Sequence, residues 1–266
     1  MCKSRYLIHK YCPNFYNLLE KRQYSKWNIL DSLISNQLIS RKNVKTNLIR
    51  LLLEIEITNN SFLKSFSEYF DQLVKEIIEF IPHKETRIWK SINGKFDNFE
   101  DWNYLNPIGE LSVLWNFINC GLFDLLEIEA KFSNGQPKDF EFRHKSDGAL
   151  TLIEVVNIHV PIGMTEHGKI KDYILDKVQK KINKETKGNI TLDELKRLFI
   201  LPVVWYLDMK ILKIEYNFFN EFNKNLGRTF GIKHPTLGFC TFVKTSDNTL
   251  IFGEASSIID LNKNKS

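Results

Sequence analysis

The stretch that decides the fold is GQPKDFEFRHKSDGALTLIEVVNIHV, which runs from Gly135 to Val160. Apolar residues alternate with other residues in both halves, a pattern typical of half-buried β-strands. Asp147-Gly148 lies between the two halves and is a strong signal for a hairpin turn. The stretch therefore predicts two antiparallel strands joined by a two-residue loop.

The length of this loop fixes the expected pairing of the strands. Counting outward from a two-residue loop sets Asp139 opposite Val156. Glu141 then pairs with Glu154. Because alternate residues of a strand point to opposite faces, Asp139, Glu141 and Glu154 are expected on one face of the sheet. Neighbouring strands lie about 4.8 Å apart, so Asp139 and Glu154 are expected to share one hard cation.

The same residues resemble a known nuclease core. A Gly-x-Pro-x-Asp-Phe strand from Gly135, a turn and an Ile-Glu-Val strand from Ile153 resemble the PD-(D/E)XK nuclease superfamily, the restriction-endonuclease-like fold. In that family two acids hold one or two magnesium ions, and a lysine two residues after the second acid assists the attacking water. The resemblance implies acids at Asp139 and Glu154. The lysine position falls on Val156, where this sequence departs from the family pattern.

The segment before the hairpin has the element order of the same family. Apolar residues recur at helical spacing from Leu111 to Ile118, and Gly121 is the expected C′ glycine of that helix. Glu110 would lie in the first turn, where the helix dipole alone already favours an acid. In the family, a helix before the first core strand often carries a third metal-binding acid, and the resemblance implies Glu110 for it. A strand over 122–132 is expected next.

The segment after the hairpin is a candidate source of the missing positive charge. A helix is predicted over Lys169–Glu185, with Ile170, Ile174, Val178 and Ile182 as its buried stripe. Lys181 falls inside that stripe and Lys177 at its edge. A lysine on an apolar face is costly unless its ammonium reaches water or a carboxylate. Reaching water is one explanation; the other is that Lys181, or failing that Lys177, replaces the lysine missing at Val156.

Composition narrows the class of protein. The 266 residues fit one large domain or two small ones, and a net charge of +5 permits contact with nucleic acid without requiring it. The four cysteines are far apart, which argues against a zinc site or a disulfide framework and favours the reducing cytoplasm. We find no signal peptide and no apolar run long enough to span a membrane, so no membrane partner is expected.

The distribution of glycine and proline divides the chain. No glycine precedes Gly94, and only Pro13 and Pro82 interrupt that stretch, which predicts an all-α N-terminal region at 1–105. Residues 106–260 predict an α/β domain with a mixed central sheet flanked by helices, including a helix at 214–226 and strands at 237–243 and 249–252. A disordered tail is expected at 261–266.

The leading hypothesis is a nuclease that depends on Mg²⁺ or Mn²⁺ and hydrolyses phosphodiester bonds of nucleic acid, with DNA as the expected substrate. Glu110, Asp139 and Glu154 would bind the metal ion. Lys181 or Lys177 would be the catalytic cation. A homodimer is compatible with this hypothesis.

Two alternatives remain open. The first is a catalytically inactive nuclease-like module that binds nucleic acid or protein, which the missing lysine at Val156 favours. The second is an unrelated α/β protein whose strand acids face solvent, because one fold hosts many functions. Other chemistries have less support, since the sequence contains no GxGxxG, P-loop, HExxH or GxSxG motif.

Overall fold

The fold is taken from a computed structural model that describes residues 2–39, 48–84, 86–90, 105–161, 164–185, 187–188, 191–205, 240–241, 244–246 and 249–251. The described residues divide into two compact units. The first unit takes those of Met1–Leu111 together with Lys244–Ile251, and the second takes those of Ser112–Val243. The helix predicted at 214–226 and the tail predicted at 261–266 lie outside the described residues.

The first unit is built mainly from helices, as the scarcity of glycine and proline predicts. Among its described residues, five α-helices of nine or more residues follow one another: α1 Lys3–Tyr11, α2 Pro13–Lys21, α3 Trp27–Ile39, α4 Leu48–Thr58 and α5 Ser61–Phe80. The α5 helix begins after Asn60, whose side chain accepts the N–H of Leu63, and it ends before Pro82. Two short antiparallel strands, β6 Lys244–Ser246 and β7 Thr249–Ile251, also belong to this unit.

The second unit is a mixed α/β layer structure. Its elements in chain order are α6 Leu105–Asn119 (which begins in the first unit), β1 Phe123–Lys131, β2 Pro137–His144, β3 Leu150–His159, α7 His167–Glu185, α8 Leu192–Arg197, β4 Leu198–Trp205 and β5 Cys240–Thr241. The sheet order is β1-β2-β3-β4-β5. The first three strands are antiparallel, whereas β3, β4 and β5 run parallel. The predicted mixed sheet with helices is therefore confirmed.

The α6 helix begins earlier than the sequence pattern predicted. It starts at Leu105, so Pro107 is its third residue. Proline is tolerated in the first turn of a helix because the N–H groups there have no intrahelical acceptor. Glu110 consequently lies in the second turn, and its predicted place in the first turn is wrong. The helix ends as predicted, with Gly121 at a φ of 72°.

The predicted two-residue hairpin loop is also wrong. His144 N–H donates to the Ala149 carbonyl at 2.8 Å, which leaves four residues, 145–148, in the loop. Asp147 stabilises this longer loop because its carboxylate accepts the Ala149 N–H at 2.9 Å. Gly148 supplies the positive φ of 72° that the turn requires.

The longer loop shifts the pairing of β2 with β3 by two residues. Glu141 lies opposite Leu152 instead of Glu154. The described pairs end with Phe140 opposite Ile153, and beyond them Asp139 Oδ2 accepts the Val155 N–H, so Asp139 lies beside Glu154 and not opposite Val156. Because the shift is even, the paired residues from Phe140 to Arg143 keep their predicted faces. The interaction of Asp139 with both Glu154 and Lys181 confirms the shared face, although the predicted pairs are wrong.

The two faces of the sheet have different apolar clusters. On one face, α7 packs against β3 and β4 through a cluster that includes Leu152, Ile158, Ile170, Ile174, Val178 and Ile200. The predicted stripe of α7 is therefore buried at its first three positions, while the side chain of Ile182 lies outside those described. On the other face, the ring of Phe142 stacks on Phe117 of α6 with centroids 4.8 Å apart.

No helix within the described ranges is both long and apolar enough to cross a membrane.

The burial of Phe142 on the second face can be tested by mutation. Phe142 is fully buried, so Phe142→Ala should lower the free energy of unfolding by about 3–5 kcal/mol through lost burial and a cavity. Urea denaturation measures this change. Phe80 is 60% exposed, and the same replacement there should cost far less. Equal losses in the two variants would contradict the assigned burial.

Candidate functional site

Glu154 lies at the centre of the candidate site. It is only 5% exposed on the face of β3 that packs against α7. Its Oε1 is in contact with the Lys181 ammonium, while its Oε2 is buried and accepts no hydrogen bond from any described residue. Burial, and then the negative charge of Asp139, raise the pKa of Glu154 to about 8. The site therefore holds positive charge, as a proton or a cation, more strongly than an exposed carboxylate does.

Asp139 supplies a second carboxylate on the same face. Its side chain is half-buried, and its Oδ2 accepts the backbone N–H of Val155 at 2.7 Å. This hydrogen bond fixes the β2 acid against β3 beside Glu154. The contribution of Asp139 to the raised pKa of Glu154 reflects the same proximity. Asp139 and Glu154 thus form a carboxylate pair supported by two neighbouring strands.

Lys181 reaches this pair from α7. Besides its contact with Glu154, its ammonium lies 3.3 Å from Oε1 of Glu185, one helical turn further along. Burial alone would lower the pKa of Lys181, but Glu154, Glu185 and Asp139 outweigh that effect and raise it. The geometric prediction that Lys181 reaches an acid is confirmed. Its role in catalysis stays a prediction.

The structure places Lys177 elsewhere. Lys177 is exposed, and its ammonium lies 5.1 Å from the ring centre of Tyr173. Val156 packs against the apolar cluster beneath α7, so the family position of the lysine is filled by a partly buried hydrocarbon side chain. Of the two lysines that the sequence singled out, Lys181 is the one whose described contacts include the carboxylates.

Two further charged residues complete the arrangement. Lys138 is 1% exposed and Glu185 is 2% exposed, and the Lys138 ammonium forms an ion pair with Oε2 of Glu185. Lys138 also lies 4.5 Å from the ring centre of Phe132. Burial opposes ionisation of Glu185, but the hydrogen bond from Lys138 and the charges of both lysines hold its pKa below the ordinary value. We refer to Lys138, Asp139, Glu154, Lys181 and Glu185 as the charge cluster.

Sequence reasoning missed Lys138 and Glu185. The spacing of Lys181 and Glu185 did carry a signal, because residues four apart on a helix are neighbours. Lys138 gave no comparable signal, since a lysine beside a strand acid is normally read as exposed. Its burial is visible only in the tertiary structure, where Glu185 at the end of α7 pairs with it.

Glu110 is placed in the other compact unit. It is buried in α6, but it belongs to the first unit, whereas the charge cluster belongs to the second. Its predicted part in metal binding stays a prediction.

The charge cluster contains carboxylate oxygens, which are the donors that a hard divalent cation takes. Three acids and two lysines leave one negative charge in excess when every group is ionised, and the Glu154 Oε2 offers a buried acceptor. Magnesium is commonly bound through one or two carboxylates and completes its octahedral shell with water and substrate phosphate. Within the described part of the chain, no group of three or more His, Cys, Asp or Glu side chains is arranged around a common metal position. Asp139 and Glu154 are the carboxylate pair that the described residues offer.

The buried ion pair gives a prediction about stability. Glu185→Leu leaves the Lys138 ammonium buried without its partner and should cost about 3–5 kcal/mol of unfolding free energy. Lys138→Met combined with Glu185→Leu removes both charges and should be clearly more stable than Glu185→Leu alone. Urea denaturation of the two variants checks this. A double variant as unstable as the single one would contradict the assigned pairing.

The raised pKa of Glu154 predicts a pH dependence. Because this pKa is raised, the folded protein releases the Glu154 proton at a higher pH than the unfolded chain, which releases it near the ordinary value of 4.5. Glu154 therefore stabilises the fold most at low pH, and this contribution is lost as the pH rises towards 8. Since glutamine cannot titrate, the stability of the parent relative to Glu154→Gln should fall by up to about 1.4 kcal/mol per pH unit.

Chemical denaturation of both proteins at pH 5, 6.5 and 8 measures that difference. A difference that stays constant over the three pH values would show that Glu154 titrates normally.

Comparison with protein-family models, with curated proteins and with solved structures finds no match for this chain.

Proposed function

We propose that this protein is a metal-dependent nuclease that hydrolyses phosphodiester bonds of nucleic acid, with DNA as the preferred substrate. The observation that carries the proposal is the contact of Lys181 with Glu154, beside the carboxylate of Asp139. Two carboxylates and a lysine are the groups that the PD-(D/E)XK resemblance requires, and here the lysine comes from a helix instead of the strand.

The element order supports the same proposal. A helix precedes three antiparallel strands, and the connection after β3 contains α7 and returns to a parallel strand, β4. Under this proposal the mixed sheet is a restriction-endonuclease-like core, with the acids on its second and third strands. The helix that follows the second acid is then well placed to provide a substitute for the lysine missing at Val156.

Each residue of the charge cluster would have its own role in such a site. Asp139 and Glu154 would hold Mg²⁺ or Mn²⁺. When bound, the ion lowers the pKa of a coordinated water and adds positive charge beside the scissile phosphate. Lys181 would donate hydrogen bonds to the attacking water or to a phosphate oxygen, where negative charge increases during the reaction. Glu185, held by Lys138, would keep the Lys181 ammonium at that place.

A second function is favoured by one observation. Val156 is packed into the apolar cluster, so the strand itself offers no cation at the family position. If Lys181 acts only as a structural partner of Glu154, the protein would be a catalytically inactive nuclease-like module that binds nucleic acid or protein.

Cleavage assays on double-stranded DNA, single-stranded DNA and RNA separate the two functions. For the nuclease, cleavage should require Mg²⁺ or Mn²⁺, stop in EDTA and be abolished by Asp139→Ala or Glu154→Ala. Lys181→Ala should lower turnover by roughly 10²-fold, the scale of losing one positioned catalytic group, with little change in KM.

The matched control is Lys180→Ala, because Lys180 is exposed on the same helix and pairs with Asp176. This variant should cut at the parental rate. Full activity in EDTA, or full turnover by a folded Lys181→Ala variant, would rule out the proposed mechanism. Binding of nucleic acid without cleavage under either metal would favour the inactive module.

A further inference from the structure

We propose that Lys181 is a tethered cation that occupies Glu154 in the metal-free protein, and that an incoming divalent cation displaces it towards Glu185. This inference rests on the proposed metal site at Asp139 and Glu154. It adds that loading the metal and placing the lysine are one coupled event.

The Lys181 ammonium lies where it can interact with either of two carboxylates. Its nitrogen lies between two carboxylates, in contact with Oε1 of Glu154 and 3.3 Å from Oε1 of Glu185. Glu185 is four residues after Lys181 on the same helix, so a change in side-chain torsion is enough to move the ammonium from one acid towards the other. No movement of the backbone is required.

Glu185 is held in place, in its ionised form, by a buried lysine. Its Oε2 is bound by the buried Lys138, and its Oε1 also has the exposed Lys184 ammonium 3.7 Å away. The buried ion pair with Lys138 keeps Glu185 charged and fixed in place. Glu185 is therefore a ready acceptor for Lys181 when Glu154 is taken by another cation.

Lys181 and a divalent cation would compete for Glu154. An ammonium in contact with Glu154 neutralises the carboxylate that the metal needs and repels a divalent ion placed beside it. The side chain of Lys181 is only 20% exposed, so water screens this repulsion less than it would at the surface. The lysine should weaken metal binding in the free protein, although the proposed reaction needs it.

A substitution at Lys181 should have opposite effects on metal binding and on turnover. Removing the charge of Lys181 should tighten metal binding while it lowers turnover. If Lys181 only stabilised the fold, removing it would weaken metal binding and also lower turnover.

The experiment measures Mn²⁺ binding without nucleic acid, by titration calorimetry and by the electron paramagnetic resonance signal of free Mn²⁺. Lys181→Met and Lys181→Gln should each lower the Kd for Mn²⁺ by about tenfold or more. Lys180→Met removes an exposed charge from the same helix and should bind like the parent. Glu154→Gln should abolish Mn²⁺ binding at this site, so this variant shows which part of the measured binding belongs to the site.

Thermal denaturation first establishes which variants fold. If Lys181→Met does not fold, Lys181→Gln provides the test. Unchanged or weaker Mn²⁺ binding by the folded Lys181 variants, with parental binding that depends on Glu154, would overturn the inference and leave the proposed nuclease intact. Absence of Glu154-dependent binding in the parent and in the Lys181 variants would overturn both.

Discussion

The arrangement of the second unit depends on Glu185, which ends α7 and accepts two lysines inside the protein. A buried carboxylate is destabilising unless it is paired, and the same holds for the buried ammonium of Lys138. These two groups satisfy each other because the end of α7 reaches the start of β2. The ion pair therefore fixes where the helix ends on the sheet, in addition to the apolar cluster beneath it.

This position of α7 determines the chemistry of the face. Because Lys181 is one turn before Glu185, fixing the end of the helix also places the Lys181 ammonium against Glu154. The chain after β3 would in any case need a crossover to reach the parallel strand β4. The same crossover thus closes the apolar core and brings a cation to two strand acids. Stability and the candidate site share the same residues.

The sequence predicted the carboxylate pair but not its register. The even periodicity of strands fixed the shared face of Asp139 and Glu154, and the face survived a loop two residues longer than predicted. The loop length could not be predicted from Asp147-Gly148 alone. Asp147 caps a four-residue loop with its own side chain, an interaction that depends on local geometry and not on the dipeptide.

What the sequence by itself determined was periodicity: which segments are helices or strands, which side chains share a face, and that Lys181 lies on an apolar stripe. These properties follow from bonds and spacings within one element. Only the tertiary structure decided that Lys138 is buried, that Glu185 is its partner and that Lys181, not Lys177, meets Glu154. Those contacts join β2, β3 and α7, so they depend on how the elements pack, and no spacing within one element specifies them.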